Sequence, residues 1–553
     1  MLLKRDEVNS DKSDNDGRTP LYTAAWNGRE GVVKILLERD EVNPDKPDND
    51  GRTPLYASAL SGHAGVVKIL LERDEVDADC PRDDGRTPLC AAAWNGHESV
   101  VKMLLKRDEV NPDMPDNNGR TPLYVAAWNG REGVVKMFIK RNEVNPDKPD
   151  NDGRTPLYAA AWSGREGVVK ILLEHDEVNP DQPDNDGRTP LYAAAWSGHE
   201  VVVRILLERD EVNPDKPDNG GRTPLCAAAW NGREAVARML LGYGEVNPDK
   251  PDNDGRTPLY AAAWNGREGV VKMLLKHDEV NPDQPDNDGR TPLGGAALNG
   301  HAEVVKILLE RGEVNPDKPH NDGRTPLWCS SSNGHAGVVE ILLERDEVNP
   351  NKPHNDGRTP LWRAAWNGHA GVVKMFLERD EVNPGKPSNT GQTPLSCAAS
   401  NGHVEVVKML LQRDEVNPDE PDNDGQTPLW CAALNGHTGV VEMLLERDEV
   451  HPDHPDIDGR TPLGCAAWNG HEEVVNLLLK RDEVNPDRPH NDGRTPLSYA
   501  AGNGYAGVAK ILLGRDDVDP HKLDEYGQTP LRYAIRHGHT AVVALLQPRG
   551  PPV

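Results

Sequence analysis

The tripeptide Thr-Pro-Leu occurs sixteen times between Thr19 and Leu531, and each copy begins 34 residues after the one before, with no insertion or deletion. A strict period of this length marks a stacked array, because one supersecondary unit of that size cannot bury its apolar face alone and is stabilised by its neighbours. A compact chain of 553 residues would otherwise be expected to split into several domains. The unbroken period leaves no linker. Residues 1–547 therefore read as a single array, with a partial repeat over 1–13 and a short Pro-rich tail at 548–553.

In the first full copy, Thr19 is a natural N-cap, and Pro20 suits the first helical position, where its missing N–H would have no partner anyway. The helix that starts there is expected to run about two turns, because Asn27-Gly28 follows and glycine holds that place in all sixteen copies, as a left-handed terminator does. A second helix is predicted over 29–39. Val32, Val33, Ile35, Leu36 and Leu37 give it a broad apolar face, and Glu30 stands four residues before Lys34, the favourable order for an ion pair on the wet side. Both helices are too short to persist alone in water, so packing must hold them. The stretch from Asp40 to Gly51 is rich in Asn, Asp, Pro and Gly, and its one apolar residue, Val42, is valine in every later copy too. It reads as an extended, hairpin-like finger anchored by that valine.

The pattern Asp-x-x-Gly-x-Thr-Pro-Leu-x-x-Ala-Ala-x-x-Gly-His-x-x-Val-Val-x-x-Leu-Leu, followed by Val-Asn, resembles the ankyrin repeat over nearly all of residues 1–547. The resemblance implies an all-α fold, a helical repeat solenoid with short β-hairpin fingers, whose right-angled units stack and bind protein partners along a concave groove, with no catalysis and no cofactor. Three departures stand out. The family's histidine after Thr-Pro-Leu is absent, replaced by residues such as Tyr22, Cys90, Tyr124, Gly294, Trp328 and Ser396, so the bonds that an imidazole would make to neighbouring loops are not expected. Acidic residues such as Asp40 and Asp74 replace the glycine after the second helix. The finger is also longer, giving 34 residues where the family's common period is about 33. Asn43 and its counterparts match an asparagine that is hydroxylated in some ankyrin proteins, although a hydrogen bond inside the finger is the simpler role. Similar arrays of near-identical repeats occur in fungal proteins as the sensor part of immune-like nucleotide-binding switches. A sensor segment of that kind, or a mechanical spacer, therefore stands beside the scaffold reading.

Charge and cysteine usage narrow the function classes. A net charge of −28 repels nucleic acid phosphates and anionic lipid from most of the surface. Single-stranded nucleic acid stacked on aromatic side chains is a remote alternative. Six of the seven cysteines (Cys90, Cys226, Cys329, Cys397, Cys431 and Cys465) sit at helix positions in separate repeats, which is no disulfide framework and suits a reducing compartment. Apolar runs are only a few residues long, and residues 1–6 lack the apolar core of a signal peptide. The expectation is a monomeric cytoplasmic array, with the nucleus open, that takes a protein partner and neither nucleic acid nor membrane. No glycine-rich phosphate loop, Cys-x-x-Cys pair or Ser-His-Asp set escapes the repeat. Ten histidines, such as His63, His97 and His199, follow the helix-ending glycine once per repeat, and they read as caps and inter-repeat contacts rather than metal ligands. Set in a calcium-loop register, the finger would need Lys46 as first ligand and Ala57 as twelfth, which excludes that motif.

At 100° per residue, Leu21, Ala24 and Ala25 centre on one side of the first helix and Trp26 lies about 150° away, pointing outward. Tryptophan recurs there in nine of sixteen copies, six of them consecutive: Trp94, Trp128, Trp162, Trp196, Trp230 and Trp264. Before each Thr stands an arginine in thirteen copies, among them Arg86, Arg120, Arg154, Arg188, Arg222 and Arg256. Trp and Arg supply large contact area at interfaces, so these twelve residues are the candidate partner-binding groove. The alternative role is internal, with each Trp stacked on the Tyr one turn earlier and on an Arg. The near-identity of the copies suggests recent duplication, so uniformity along the groove need not mean uniform use.

Two places break the pattern. The chain opens inside what aligns as a second helix, which suggests a fragment with more sequence upstream. Ser330, Ser331 and Ser332 replace Ala-Ala-Trp just after Gly294-Gly295, so the softest interfaces are expected over 291–340.

Overall fold

The computed structural model describes residues 10–547; the opening of the partial repeat and the Pro-rich tail lie outside the described residues. Each copy forms two helices, from α1 (Pro20–Trp26) and α2 (Glu30–Leu37) to α31 (Pro530–Arg536) and α32 (Thr540–Leu546). Thr19 Oγ1 accepts from the Tyr22 N–H at 3.0 Å, and its counterparts repeat this cap along the chain. Gly28 takes φ +67°, which lets the Arg29 N–H turn back to the Ala24 carbonyl at 2.9 Å and close the helix end.

The second helix is shorter than the predicted 29–39. After Leu37 the Arg39 N–H bonds the Leu36 carbonyl at 3.2 Å, a tighter turn that ends the helix. The Glu30–Lys34 pair does not form. The Glu30 carboxylate instead leans across to the next copy, where a Cβ at Gly65 would collide with its Oε1, and Glu98 and Glu132 lean likewise over Gly133 and Gly167.

First helices pack on first helices of adjacent copies, and second helices on second helices. Alanines such as Ala92, Ala126 and Ala160 are wholly buried between the first helices, while Val33, Leu36, Leu70 and Leu104 fill the space behind them. Each buried valine or leucine contributes about 1.5–3 kcal/mol, which the short helices cannot supply themselves. The copies divide at Asn281 and Pro282 into two compact units, and within each the core is a continuous repeat-to-repeat layer.

Among the described residues the fingers contain no β-strand, so the expected β-hairpin is reduced to a closed loop. Pro44 and Pro47 have no N–H to offer a ladder. The Asp48 N–H bonds the Arg52 carbonyl at 2.9 Å, and Asp48 Oδ1 accepts from the N–H groups of Asp50 and Arg52 at 3.0 and 2.9 Å. One carboxylate thus does what paired strands would do. Val42 is buried, as its anchoring role requires.

Successive fingers are joined side by side. Asn49 donates its N–H to the Asp16 carbonyl and its Nδ2 to the Asn15 carbonyl, both at 3.0 Å, and the same asparagine link recurs from Asn151 to Asn117 and from Asn185 to Asn151. A second row runs parallel, where Lys216 Nζ reaches the Asp181 carbonyl at 2.8 Å and Lys250 Nζ reaches that of Asp215 at 2.9 Å, each also pairing with the carboxylate. Burial raises the pKa of these aspartates, the lysine partners countering part of the shift.

Candidate functional site

Pro20 at the first helical position sets Tyr22 near the helix start and Trp26 one turn later on the same side. The Tyr22 ring is buried, and the Trp26 ring lies on it at 6.4 Å between centroids and 12° between planes. Tyr124–Trp128, Tyr158–Trp162, Tyr192–Trp196 and Tyr260–Trp264 stack the same way at 5.8–6.4 Å. Buried Cys90 and Cys226 stand at the Tyr position below Trp94 and Trp230, and the Arg86 guanidinium lies 5.1 Å from the Trp94 ring.

The main chain of each tryptophan from Trp94 to Trp230 is held as well. Its carbonyl accepts from the residue that opens the second helix of the next copy: Arg131 Nε to Trp94 and Arg165 Nε to Trp128 at 3.1 Å, His199 Nε2 to Trp162 at 3.0 Å, Arg233 Nε to Trp196 at 3.3 Å and Arg267 Nε to Trp230 at 3.2 Å. The histidines of this position are therefore inter-repeat contacts; they make no side-chain cap on their own helices. The six rings from Trp94 to Trp264 are half-buried, outward as expected but lying back on their seats, whereas Trp26 and Trp468 are more open at 40% and 43%.

The arginines are placed beside this row but are mostly paired already. Arg154, Arg188 and Arg256 bind Asp152, Asp186 and Asp254 at 2.9–3.0 Å; Arg222 binds Asp218 at 3.0 Å, and Arg86 lies 3.4 Å from Asp116. Arg120 lies 6.0 Å from the Tyr124 ring. The face is thus a strip of seated indoles bordered by Arg–Asp pairs, not of unengaged forks.

At the position where the family's histidine is missing, the link to the neighbouring finger survives by other means. Trp328, Trp362 and Trp430 donate Nε1–H to the carbonyls of Arg358, Gln392 and Arg460 at 3.2, 2.9 and 3.0 Å. Where the position is glycine, an imidazole comes from the next finger instead. A Cβ on Gly294 would meet His320 Nε2 at 2.7 Å, and one on Gly464 would meet His490 Nε2 at 2.5 Å. Both histidines are buried, and burial lowers their pKa, that of His490 to about 4. Asn43 Oδ1 accepts from the Asp45 N–H at 2.9 Å, the hydrogen bond inside the finger.

The family model for ankyrin repeats in sets of three matches overlapping stretches from residue 40 to residue 551, and the single ankyrin repeat model matches residues 16–49. The chain belongs to the ankyrin repeat family. Ankyrin repeats are generally protein–protein interaction modules. No curated protein matches the chain. In this ankyrin protein all seven cysteines are free thiols, six of them buried, and burial pushes Cys90 and Cys226 up to about 12. Among the described residues no group of three His, Cys, Asp or Glu side chains is arranged to hold a metal ion, and no helix is long and apolar enough to cross a membrane.

One group escaped the sequence reading. Arg363 stands where the other copies carry a small, apolar or aromatic residue such as Thr23, Ala57, Ala91 or Tyr499, and only comparison down that column singles it out. It lies beside Trp328 and Ser332 in the second unit.

Proposed function

We propose that this ankyrin protein is a non-enzymatic intracellular scaffold that holds a protein partner along the tryptophan row of its first unit. The observation that carries this reading is the run of six half-buried indoles, Trp94 to Trp264, in consecutive copies, each bound through its carbonyl or stacked on a buried ring. A ring already held in place loses little freedom when a partner covers it, so its contact area converts efficiently to affinity. The bordering Arg–Asp pairs offer donors and acceptors together, which suits peptide backbone, while the net charge of −28 disfavours polyanions.

The test is affinity purification from the native cell with the full chain and with Trp128→Ala/Trp162→Ala/Trp196→Ala. Hot-spot truncation costs about 2 kcal/mol or more per residue, so a partner of this face is lost from the triple variant while its helical circular dichroism persists. A partner retained in full by the folded variant would show that the row is internal packing and not the binding face.

A further inference from the structure

We propose that Arg363, together with Trp328 and Ser332, forms a carboxylate-binding subsite for an acidic peptide segment in the second unit. This goes beyond the tryptophan row of the first unit and does not depend on it. Where a tryptophan stands at the Trp26 position after a Tyr or Trp one turn before, it covers that ring, as Trp366 covers Trp362 at 5.3 Å. At Trp328 that cover is missing because Ser332 stands in its place. Arg363 reaches into the vacated space from the following copy, its Cζ 5.6 Å from the Trp328 ring centroid and its Nε 3.3 Å from Ser332 Oγ. Two more guanidinium groups stand close by, Arg324 at 5.1 Å from the Trp328 ring and Arg358 at 4.6 Å from the Trp362 ring.

The charges there do not balance. Arg324 pairs with Asp322 at 3.0 Å and Arg358 with Asp356 at 3.1 Å, and Asp356 also holds His354 Nδ1 at 2.8 Å. Arg363 has no carboxylate, and its terminal nitrogens have no acceptor among the described residues. Three cations face two anions, an excess of one positive charge in a chain of net −28. Partial burial, then the charges of Arg358 and Arg324, lowers the pKa of Arg363, so a nearby anion would relieve it. If Arg363 only replaced the lost ring, its stacking face and Nε would suffice; the fork at its tip is left over.

A guanidinium fork matches a carboxylate in two-point geometry. The single excess charge also selects for a monoanion, since a phosphate dianion would be repelled by Asp322 and Asp356. An acidic side chain or a chain-terminal carboxylate of a peptide meets both conditions.

The experiment selects a phage-displayed random dodecapeptide library on the full chain and on Arg363→Ala and Ser332→Trp. Both substitutions install residues that other copies carry at these positions, so the fold should be retained, which unfolding curves check. The expected result is a set of clones enriched in Asp and Glu that bind only the unaltered chain. A synthetic peptide from that set should bind Arg363→Ala about tenfold more weakly or worse, and its Glu→Gln or Asp→Asn form should lose as much on the unaltered chain. Absence of acidic enrichment, or acidic clones that bind Arg363→Ala equally well, would overturn the proposal. Clones that depend on Trp128, Trp162 and Trp196 but not on Arg363 would overturn it while supporting the tryptophan row.

Discussion

Gly294 and His320 show one residue dictating another across a repeat boundary. Copies such as those of Tyr124 and Tyr158 place a ring on the helix and a short side chain, Asp150 or Asp184, on the next finger; here the bulk is exchanged. Gly294→Tyr alone forces a ring against the imidazole and should cost about 1–3 kcal/mol, whereas His320→Asp alone leaves space unfilled. The double variant restores the arrangement of Tyr124 with Asp150 and should recover most of the loss. Hydrogen exchange in the helix Pro292–Leu298 measures this, and simple addition of the two penalties would refute the pairing. Ser331 is a second residue-scale case. Its Oγ is buried without a hydrogen-bond partner, while Ser330 Oγ donates to the Leu327 carbonyl at 3.1 Å. Ser331→Ala should therefore stabilise the chain by about 1–2 kcal/mol in urea unfolding. Within 291–340, where the softest interfaces are expected, the buried polar atoms without a partner include Ser331 Oγ and His320 Nε2.

At the scale of elements, helix starts and the first helix end were legible because local chemistry decides them: Thr19 caps, Pro20 opens and Gly28 turns. The seat of each tryptophan was legible too, since Tyr22 and Trp26 are one helical turn apart. What local reading misplaced depends on partners outside the element. Glu30 leaves Lys34 for the next copy's Gly65, Arg154 is claimed by Asp152 of its own finger, and a strand pattern yields to the Asp48 carboxylate. The finger row offers a direct test. Ile457 interrupts the asparagine series and is 66% exposed, keeping only the main-chain bond to Asp424 at 3.0 Å. Ile457→Asn should supply the missing side-chain bond and raise stability by about 0.5–1.5 kcal/mol. No change in the unfolding midpoint would mean that the row guides register without contributing energy.

Across the whole molecule, the buried finger aspartates make stability depend on pH in an unusual direction. Burial raises the pKa of Asp45, Asp113, Asp215 and Asp317 above the ordinary carboxylate value. A carboxyl group with a raised folded pKa contributes stability that is full below its unfolded value and lost as pH rises through the folded one. Urea midpoints should therefore rise as pH falls from neutrality toward the ordinary carboxylate range, with relief of self-repulsion acting in the same sense. High salt screens the repulsive part and should leave the aspartate part. His320 and His490 oppose this trend: their folded pKa values are lowered, so protonation of the unfolded chain below about 6.5 removes stability. Exchange protection in Pro292–Leu298 and Pro462–Asn469 should accordingly gain least on acidification. A midpoint that falls uniformly from neutral pH would refute this account.

The carbonyls of the seated tryptophans from Trp94 to Trp230 are met by histidine in one copy and arginine in the others, at nearly the same distance. The joint between copies is therefore generic. Copies can be exchanged, duplicated or lost in whole multiples of the period, and each new junction closes as the old ones did. Gly294 with His320 and Gly464 with His490 are the exceptions: such a copy must travel with its successor, so these two pairs mark where the array is least free to be cut.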